Sequence, residues 1–215
     1  RHKLRVQQVR RQKIFLTCLF LLIVGCILLR FSKFSGRQEE AHQINAACEA
    51  YRDEVSSEAA QYDMSDYVDL LLAVMMQESS GQGTDPMQSS EGAYNTRYPQ
   101  QPNGITDPSY SISCGIQELK YALDKAGCTG PTDLSKIRLA LQAYNFGADS
   151  YFAYLEENGQ TVWTAQSAQA FAQMASGGTQ RDEDDPLHDP AGPWDYGDQY
   201  YPDHVLRYYH LDNNS

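Results

Sequence analysis

A single carboxylate ends an apolar, helix-forming stretch of the sequence. Residues 70–76 carry no charge, and Glu78 follows shortly after them, directly before Ser79. The C-terminal end of a helix carries partial negative charge, so an acid is electrostatically unfavourable there. Burial against the apolar stretch would also favour the protonated carboxyl group. The pattern predicts an acid with a raised pKa that can donate a proton to a leaving oxygen, and a solvated acid at a helix end is the alternative interpretation.

Three later segments, in a fixed order, add to this one acid. They read SCGIQEL at 113–119, ALQAYNFG at 140–147 and QYYPDHVLRYY at 199–209. After a Glu-Ser pair, this order resembles the goose-type lysozyme and soluble lytic transglycosylase superfamily. The segments QESSG, DPMQSSEG and ITDPSYSI are most similar to the lysozyme-like domain of CwlT-type cell-wall hydrolases from Gram-positive conjugative elements. The resemblance covers about residues 50–210 and implies a mainly α, lysozyme-like single domain.

The resemblance implies roles for five residues. Glu78 corresponds to the catalytic acid, and Tyr201 to the tyrosine that hydrogen-bonds that acid. Gln117 corresponds to a glutamine that faces the cleft, and Tyr144 and Asn145 to the Ala-Tyr-Asn positions, which we take as substrate-binding. The residue types alone also allow structural roles: core aromatics for the tyrosines, a local backbone bond for Asn145 and a solvated helix position for Gln117.

Two positions depart from the family's pattern. The glycine expected three residues before Gln117 reads Cys114, with Gly115 beside it, so the register of this motif stays open. The serine that contacts the N-acetyl group of the substrate has two candidates, Ser89 and Ser90. Both are therefore kept as expected substrate-binding residues.

The segment at 79–113, which follows Glu78, contains three candidates for a second catalytic carboxylate, and no spacing singles one out: Asp85, Glu91 and Asp107. Members of the superfamily can rely on one glutamate and the N-acetyl group of the substrate. The implied activity is that of an N-acetylmuramidase, which hydrolyses peptidoglycan between N-acetylmuramic acid and N-acetylglucosamine without a metal or cofactor. The alternatives are a lytic transglycosylase, which leaves 1,6-anhydro ends, and a non-catalytic wall-binding scaffold of a secretion complex.

The N-terminal part of the sequence differs sharply in charge from the rest. Residues 1–34 contain eight basic residues and no acid, whereas residues 35–215 contain nine basic and 28 acidic residues, a formal charge of −19. The apolar run at 14–29, extended to residue 34, reaches the ~20 residues that span a bilayer. The basic residues before it predict a cytoplasmic N-terminus. We expect a cytoplasmic basic segment (1–13), a single-pass transmembrane anchor in the cell membrane (14–34), a stalk (35–44) and an extracytoplasmic catalytic domain (45–215).

A cleaved signal peptide and a lipid-modified Cys26 are the alternatives to this anchor. Each of them also places the domain outside the cytoplasm, beside peptidoglycan, with a type IV secretion or conjugation apparatus as a candidate partner. The strong negative charge of the domain argues against nucleic-acid binding. Among its cysteines, a Cys114–Cys128 disulfide and small buried thiols are both open interpretations.

Helix signals dominate the exported part. Expected helices cover residues 45–62, 65–77, 117–126, 133–146, 149–157, 164–175 and 200–210. Residues 79–113 and 176–197 are rich in Gly, Pro, Ser, Asn and Asp and read as loops. A loop as long as 79–113 inside a compact domain is usually functional or disordered.

Overall fold

This computed structural model describes residues 42–185 and 188–211, which contain eight α-helices. The helices are α1 (Ala46–Glu49), α2 (Arg52–Ala60), α3 (Val68–Glu78), α4 (Pro108–Ala126), α5 (Leu134–Phe146), α6 (Ala148–Glu157), α7 (Ala165–Ala175) and α8 (Tyr201–Leu206), with a 3-10 turn at Ser65–Tyr67. Within these residues the extended pairing is limited to one isolated antiparallel bridge, between Gln180 and Trp194. The mainly α class expected from the sequence is confirmed.

Helix α3 is the centre of the core. Residues 70–75 are all fully buried, and a helix that is apolar on every side is stable only in an interior. Helices α1, α2 and α8 pack against α3, while α4 and α8 pack against α5. The described residues from Ile44 onward form one compact unit around this core. Because α3 is held on all sides, its last residue, Glu78, has a fixed place.

Helix α4 begins nine residues before the start expected at residue 117. The Asp107 carboxylate accepts hydrogen bonds from the backbone N–H groups of Ser109 (3.1 Å) and Tyr110 (3.4 Å). Pro108 occupies the first helical position, where its missing N–H costs nothing. The expected start was wrong because this cap lies inside a segment rich in turn-forming residues. The helix ends, as expected, before Gly127, which adopts a left-handed φ of 70°.

Three other helix ends also differ from expectation. The helix expected over 45–62 is divided into α1 and α2, because α1 is anchored on the turn after α3, where the Asn45 side chain donates to the Ser80 carbonyl (3.0 Å). The N-cap of α5 is Asp133, which accepts from the Lys136 N–H, rather than Thr132. The last helix, α8, ends at Leu206 and not at residue 210.

The N-terminal expectations lie outside the described residues. This holds for the basic segment at 1–13, the anchor at 14–34 and most of the stalk. Among the described helices, none combines the length and apolar character needed to cross a membrane. The described cysteines, Cys48, Cys114 and Cys128, are free thiols. The Cys114–Cys128 disulfide is therefore not formed in this structure.

Candidate active site

Glu78 occupies the last position of α3, and a tyrosine from α8 holds its carboxyl group. Tyr201, the first residue of α8, is 2% exposed, and its hydroxyl donates a hydrogen bond to Glu78 Oε1. The next residue, Ser79, donates from its hydroxyl to the Pro86 carbonyl (2.8 Å). Glu78 is therefore fixed between α8 and the loop that follows α3.

Burial raises the pKa of Glu78 to about 7. Desolvation is the largest cause, and the negative charges of Asp198, Asp85 and Glu118 act in the same direction. The hydrogen bond from Tyr201 stabilises the carboxylate and lowers the pKa in part. The raised pKa agrees with the expectation from the sequence. Near neutral pH a large fraction of this group carries the proton that a general acid must donate.

Tyr144 and Asn145, at the end of α5, line the cleft and also position its walls. The ring of Tyr144 stacks on that of Tyr201 with centroids 6.2 Å apart, and its hydroxyl donates to the Met87 carbonyl (3.0 Å). The Asn145 side-chain oxygen accepts from the backbone N–H of Asp198 (2.7 Å). The structure thus brings both residues to the acid and gives each a structural bond as well.

The loop at 85–90 is built around a buried carboxylate. Asp85 accepts through Oδ1 from the Ser111 hydroxyl (2.6 Å) and the Ser89 N–H (3.1 Å), and through Oδ2 from the N–H and hydroxyl of Ser90. The Ser89 hydroxyl donates to the Ser111 carbonyl, and the Ser90 hydroxyl accepts from the Ile105 N–H. Ser89 and Ser90 are each 1% exposed. Both hydroxyls are engaged inside the loop, and the expected contact of either serine with the substrate stays a prediction.

The same loop presents Gln88 to the cleft. Gln88 is exposed between these buried residues and adopts a left-handed φ of 48°, which is uncommon for a residue with a side chain. Its side-chain amide donates to the Asp85 carbonyl (2.8 Å) and to Asn103 Oδ1 (3.0 Å). Sequence reasoning singled out the segment DPMQSSEG but chose its serines rather than its glutamine.

The structure bears on the register of the motif around Gly115, which the sequence leaves open. Gln117 lines a groove that does not include Glu78 but shares Ala93 and Tyr94 with the hollow that does, and its amide donates to the Ser113 carbonyl (3.1 Å). Glu118 lines the same hollow as Glu78. A Cβ on Gly115 would lie 2.7 Å from the Met87 side chain, so this position requires glycine. Glu118, three residues after that glycine, therefore shares the hollow of Glu78, which Gln117 does not line, and substrate binding by Gln117 stays a prediction.

Glu118 is a second buried acid in the cleft. Burial raises its pKa to about 7, and hydrogen bonds from the backbone of Tyr94 and Ala93 lower the pKa in part. Its Oε1 atom is buried and has no hydrogen-bond partner in the described part of the chain. A Cβ on Gly92 would lie 1.4 Å from that atom, so Gly92 provides the space for the carboxyl group. Glu91, one of the acids considered from the sequence, lines the same hollow.

Two adjoining hollows, with volumes of about 620 and 630 Å³, meet at Glu78 and form one open cleft. We call the first the acidic half; its charged and tyrosine lining residues are Glu91, Glu118, Asp149, Tyr94, Tyr121, Tyr144 and Tyr196. We call the second the basic half; it is lined by Arg181, His188, His204 and Arg207, together with Asp189 and Asp198. A polymer lying along the cleft would place one bond at Glu78 and extend into both halves.

The basic half was missed by sequence reasoning, although a signal for it exists. His204 follows Tyr201 by three residues and Arg207 follows by three more, a spacing that brings side chains on a helix close together. Throughout the described residues, no group of three or more His, Cys, Asp or Glu side chains is placed to hold a metal ion. The chemistry available in the cleft is that of carboxyl, phenol, amide, imidazole and guanidinium groups.

Residues 46–209 match the lysozyme-like family, and the chain belongs to that family. It is 35% identical over 173 residues to the bifunctional muramidase/DL-endopeptidase CwlT of Bacillus subtilis (strain 168). This alignment covers 80% of this chain and 43% of CwlT. It is 39% identical over 111 residues to the uncharacterized membrane protein YocA of the same organism, and this alignment covers 52% of this chain and 45% of YocA.

A solved structure shows the same fold. The crystal structure of a protein similar to lipoprotein, of the NLP/P60 family, from Staphylococcus aureus subsp. aureus Mu50 superposes with a TM-score of 0.66. The sequence identity is 26%, over 80% of this chain and 56% of that chain. The chain thus spans roughly half the length of these relatives. The resemblance to the lysozyme-like superfamily and to CwlT, inferred from the sequence, is confirmed.

Proposed function

We propose that this protein is a peptidoglycan glycan-strand hydrolase, an N-acetylmuramidase that cleaves between N-acetylmuramic acid and N-acetylglucosamine. The observation that carries the proposal is the carboxyl group of Glu78, which has a pKa of about 7, is bonded to Tyr201 and lies where the two halves of the cleft meet. The similarity to CwlT, which is named a muramidase, supports peptidoglycan as the substrate.

In the proposed reaction, protonated Glu78 donates its proton to the glycosidic oxygen as the bond from C1 to that oxygen stretches. The N-acetyl oxygen of the sugar stabilises the positive charge that develops at C1. Glu78, now ionised, then accepts a proton from the attacking water. The Tyr201 hydroxyl orients the carboxyl group and stabilises the carboxylate formed in the first step.

Glu78→Gln tests this role because the amide keeps the size of the side chain and removes the transferable proton. Clearing of purified cell walls should fall by about 10²- to 10⁴-fold, the range for general acid–base catalysis. Binding to insoluble peptidoglycan should persist, because the rest of the cleft is unchanged. Glu156→Gln, an exposed site on α6, is the control. Wall clearing by Glu78→Gln at the wild-type rate would remove the basis of the proposal.

Mass spectrometry of the digested strands separates the proposed hydrolase from the other functions. Hydrolysis leaves reducing N-acetylmuramic acid ends, whereas a lytic transglycosylase leaves 1,6-anhydro ends. A non-catalytic wall-binding scaffold would bind strands, release no fragments and be unaffected by Glu78→Gln. We expect reducing ends from the wild-type protein, and about 10²- to 10⁴-fold fewer from the variant in the same time.

We also propose that the protein is a single-pass membrane protein with its N-terminus inside and its catalytic domain outside, and that it opens the wall locally for conjugation or secretion. The charge asymmetry around residues 14–29 supports this topology, and the relative YocA is named a membrane protein. A reporter that is active only in the cytoplasm, fused after Ser215, should be silent. An active reporter would contradict the topology.

A further inference from the structure

The cationic and imidazole side chains of the cleft all lie in one of its two halves. The titratable side chains of the acidic half include Glu91, Glu118 and Asp149, and among its described lining residues there is no Lys, Arg or His. The basic half, in contrast, contains two arginines and two histidines beside Asp189 and Asp198, and one of the arginines, Arg181, is paired with Asp195. Residues 35–215 carry a formal charge of −19, so this local group of cations beside the proposed catalytic acid runs against the charge of the whole domain.

Arg207 is held in place without being neutralised. Its guanidinium donates to Gln77 Oε1 (3.0 Å), on the residue directly before Glu78, and lies 4.8 Å from the ring centroid of Tyr208. In the described part of the chain, no carboxylate forms an ion pair with it, whereas Arg52, Lys120, Lys125, Arg138 and Arg181 each pair with an acid. The positive charge of Arg207 is therefore available to an anion in the cleft.

Two histidines extend this positive region. His204 Nδ1 lies 2.5 Å from Asp198 Oδ2, and this contact raises the pKa of the imidazole, which favours its charged form. The charge of Arg207 acts on the same imidazole in the opposite direction, so the two cationic groups interact. His188 Nδ1 is buried and lacks a hydrogen-bond partner among the described residues. The basic half thus contains one cation without an acidic partner, Arg207, two paired groups, Arg181 with Asp195 and His204 with Asp198, and one ring nitrogen without a partner, on His188.

On the basis of the proposed function, we propose that the basic half binds the carboxylate that branches from N-acetylmuramic acid, with Arg207 as its main partner. N-acetylmuramic acid carries a 3-O-lactyl group, which ends in a carboxylate or continues into a peptide that bears carboxylates, whereas N-acetylglucosamine is neutral. A guanidinium forms charge-assisted hydrogen bonds with a carboxylate, and the acidic half repels the same group. The charge difference therefore selects one of the two directions in which a strand can lie across Glu78.

The test measures binding of soluble strands to protein that carries Glu78→Gln, so that no cleavage interferes. Four ligands are compared: strands with peptide stems, stem-bearing strands whose carboxylates have been amidated, strands stripped of stems so that the lactyl carboxylate is free, and chitin oligomers. Adding Arg207→Gln should weaken binding of stem-bearing strands by about 3- to 10-fold, the effect of one charge-assisted bond in a partly solvated cleft. It should leave the Kd of amidated strands and chitin oligomers unchanged.

Arg97→Gln is the matched control. Arg97 is also exposed, lies 4.6 Å from the ring centroid of Tyr110, forms no ion pair within the described residues and lines a groove away from Glu78. Sensitivity of stripped strands to Arg207→Gln would assign the lactyl carboxylate as the ligand, and insensitivity would assign the stem. Equal Kd values for native and amidated strands, or an equal effect of Arg207→Gln on both, would overturn the proposal. Failure of the wild-type protein to cut any strand would overturn only the proposed function, because the Kd values do not depend on cleavage.

Discussion

Replacement of Tyr201 with phenylalanine tests how the cleft sets the pKa of its acid. The Tyr201 hydroxyl donates to Glu78 Oε1, and this bond lowers the pKa of Glu78. Phenylalanine keeps the buried ring against Tyr144 and removes only the donor. The ionised carboxylate loses a partner and the protonated form loses less, so the pKa of Glu78 should rise above its present value of about 7.

The size of the shift follows from the strength of the lost bond. A hydrogen bond to a charged group contributes about 1.5–3 kcal/mol, and one pKa unit corresponds to about 1.4 kcal/mol. Water in the open cleft can replace part of the bond, so we expect a rise of about one unit. Because Glu78 must be protonated to act, the alkaline limb of the kcat/KM profile should move up by about one pH unit. At the optimum, kcat should fall about 10- to 1000-fold, since the carboxylate that forms in the reaction has lost its donor.

The measurement is a rate profile on soluble glycan strands from about pH 5 to 9, with circular dichroism to check the fold. Tyr144→Phe is the control for the limb, because the hydroxyl of Tyr144 donates to the Met87 carbonyl and not to Glu78. The alkaline limb of the kcat/KM profile of Tyr144→Phe should coincide with that of the wild type. A limb that stays in place or moves down in Tyr201→Phe would refute the proposed balance between burial and hydrogen bonding at Glu78.

Three further predictions concern the same cleft. The pKa of Glu78 is raised in the folded protein, so its contribution to stability is present below about pH 4.5 and lost as the pH rises through about 7. The thermal midpoint of Glu78→Gln should therefore increase relative to that of the wild type as the pH rises over this range. A difference in midpoint that stays constant with pH would contradict the assignment. Glu118→Gln removes a charge that raises the pKa of Glu78, so the alkaline limb should move down by about half a pH unit or less, whereas Gln117→Ala should leave it in place. Ser90→Ala removes the hydroxyl that donates to Asp85 and accepts from the Ile105 N–H. It should lower the free energy of unfolding by about 1–3 kcal/mol in a denaturant titration. Unchanged stability together with weaker strand binding would instead support Ser90 as a substrate contact.

The elements that could be predicted from the sequence are those whose signals are local. The apolar run at 70–76 predicts a buried helix, and the structure contains α3 there with Glu78 as its last residue. Gly127 marks the end of α4 because only a residue without a side chain adopts its backbone conformation readily. The start of α4 was missed because Asp107 and Pro108 favour turns and helix caps equally, and only packing decides between the two.

The candidate site depends on contacts that local patterns do not contain. Tyr201 is 123 residues from Glu78 in the chain, and only the family resemblance brought the two together. In the motif around Gly115, a difference of one residue decides the result, because successive side chains on a helix point about 100° apart. Gln117 therefore faces another groove, while Glu118 faces Glu78. The burial of Ser89 and Ser90 could not be read from their type, because it depends on the position of Asp85.

The opposing effects at Glu78 fit a residue that must act first as an acid and then as a base. Burial and the neighbouring acids alone would hold the proton so firmly that the carboxyl group could not readily donate it to the glycosidic oxygen. The Tyr201 hydrogen bond alone would leave the group ionised at neutral pH and unable to donate. Together, burial, the neighbouring acids and the Tyr201 hydrogen bond set the pKa of Glu78 to about 7. Near neutral pH both the protonated and the ionised form are then populated. The position of Glu78 at the negative end of a buried helix, unfavourable for stability, therefore gives the proposed reaction the single group that both of its steps need.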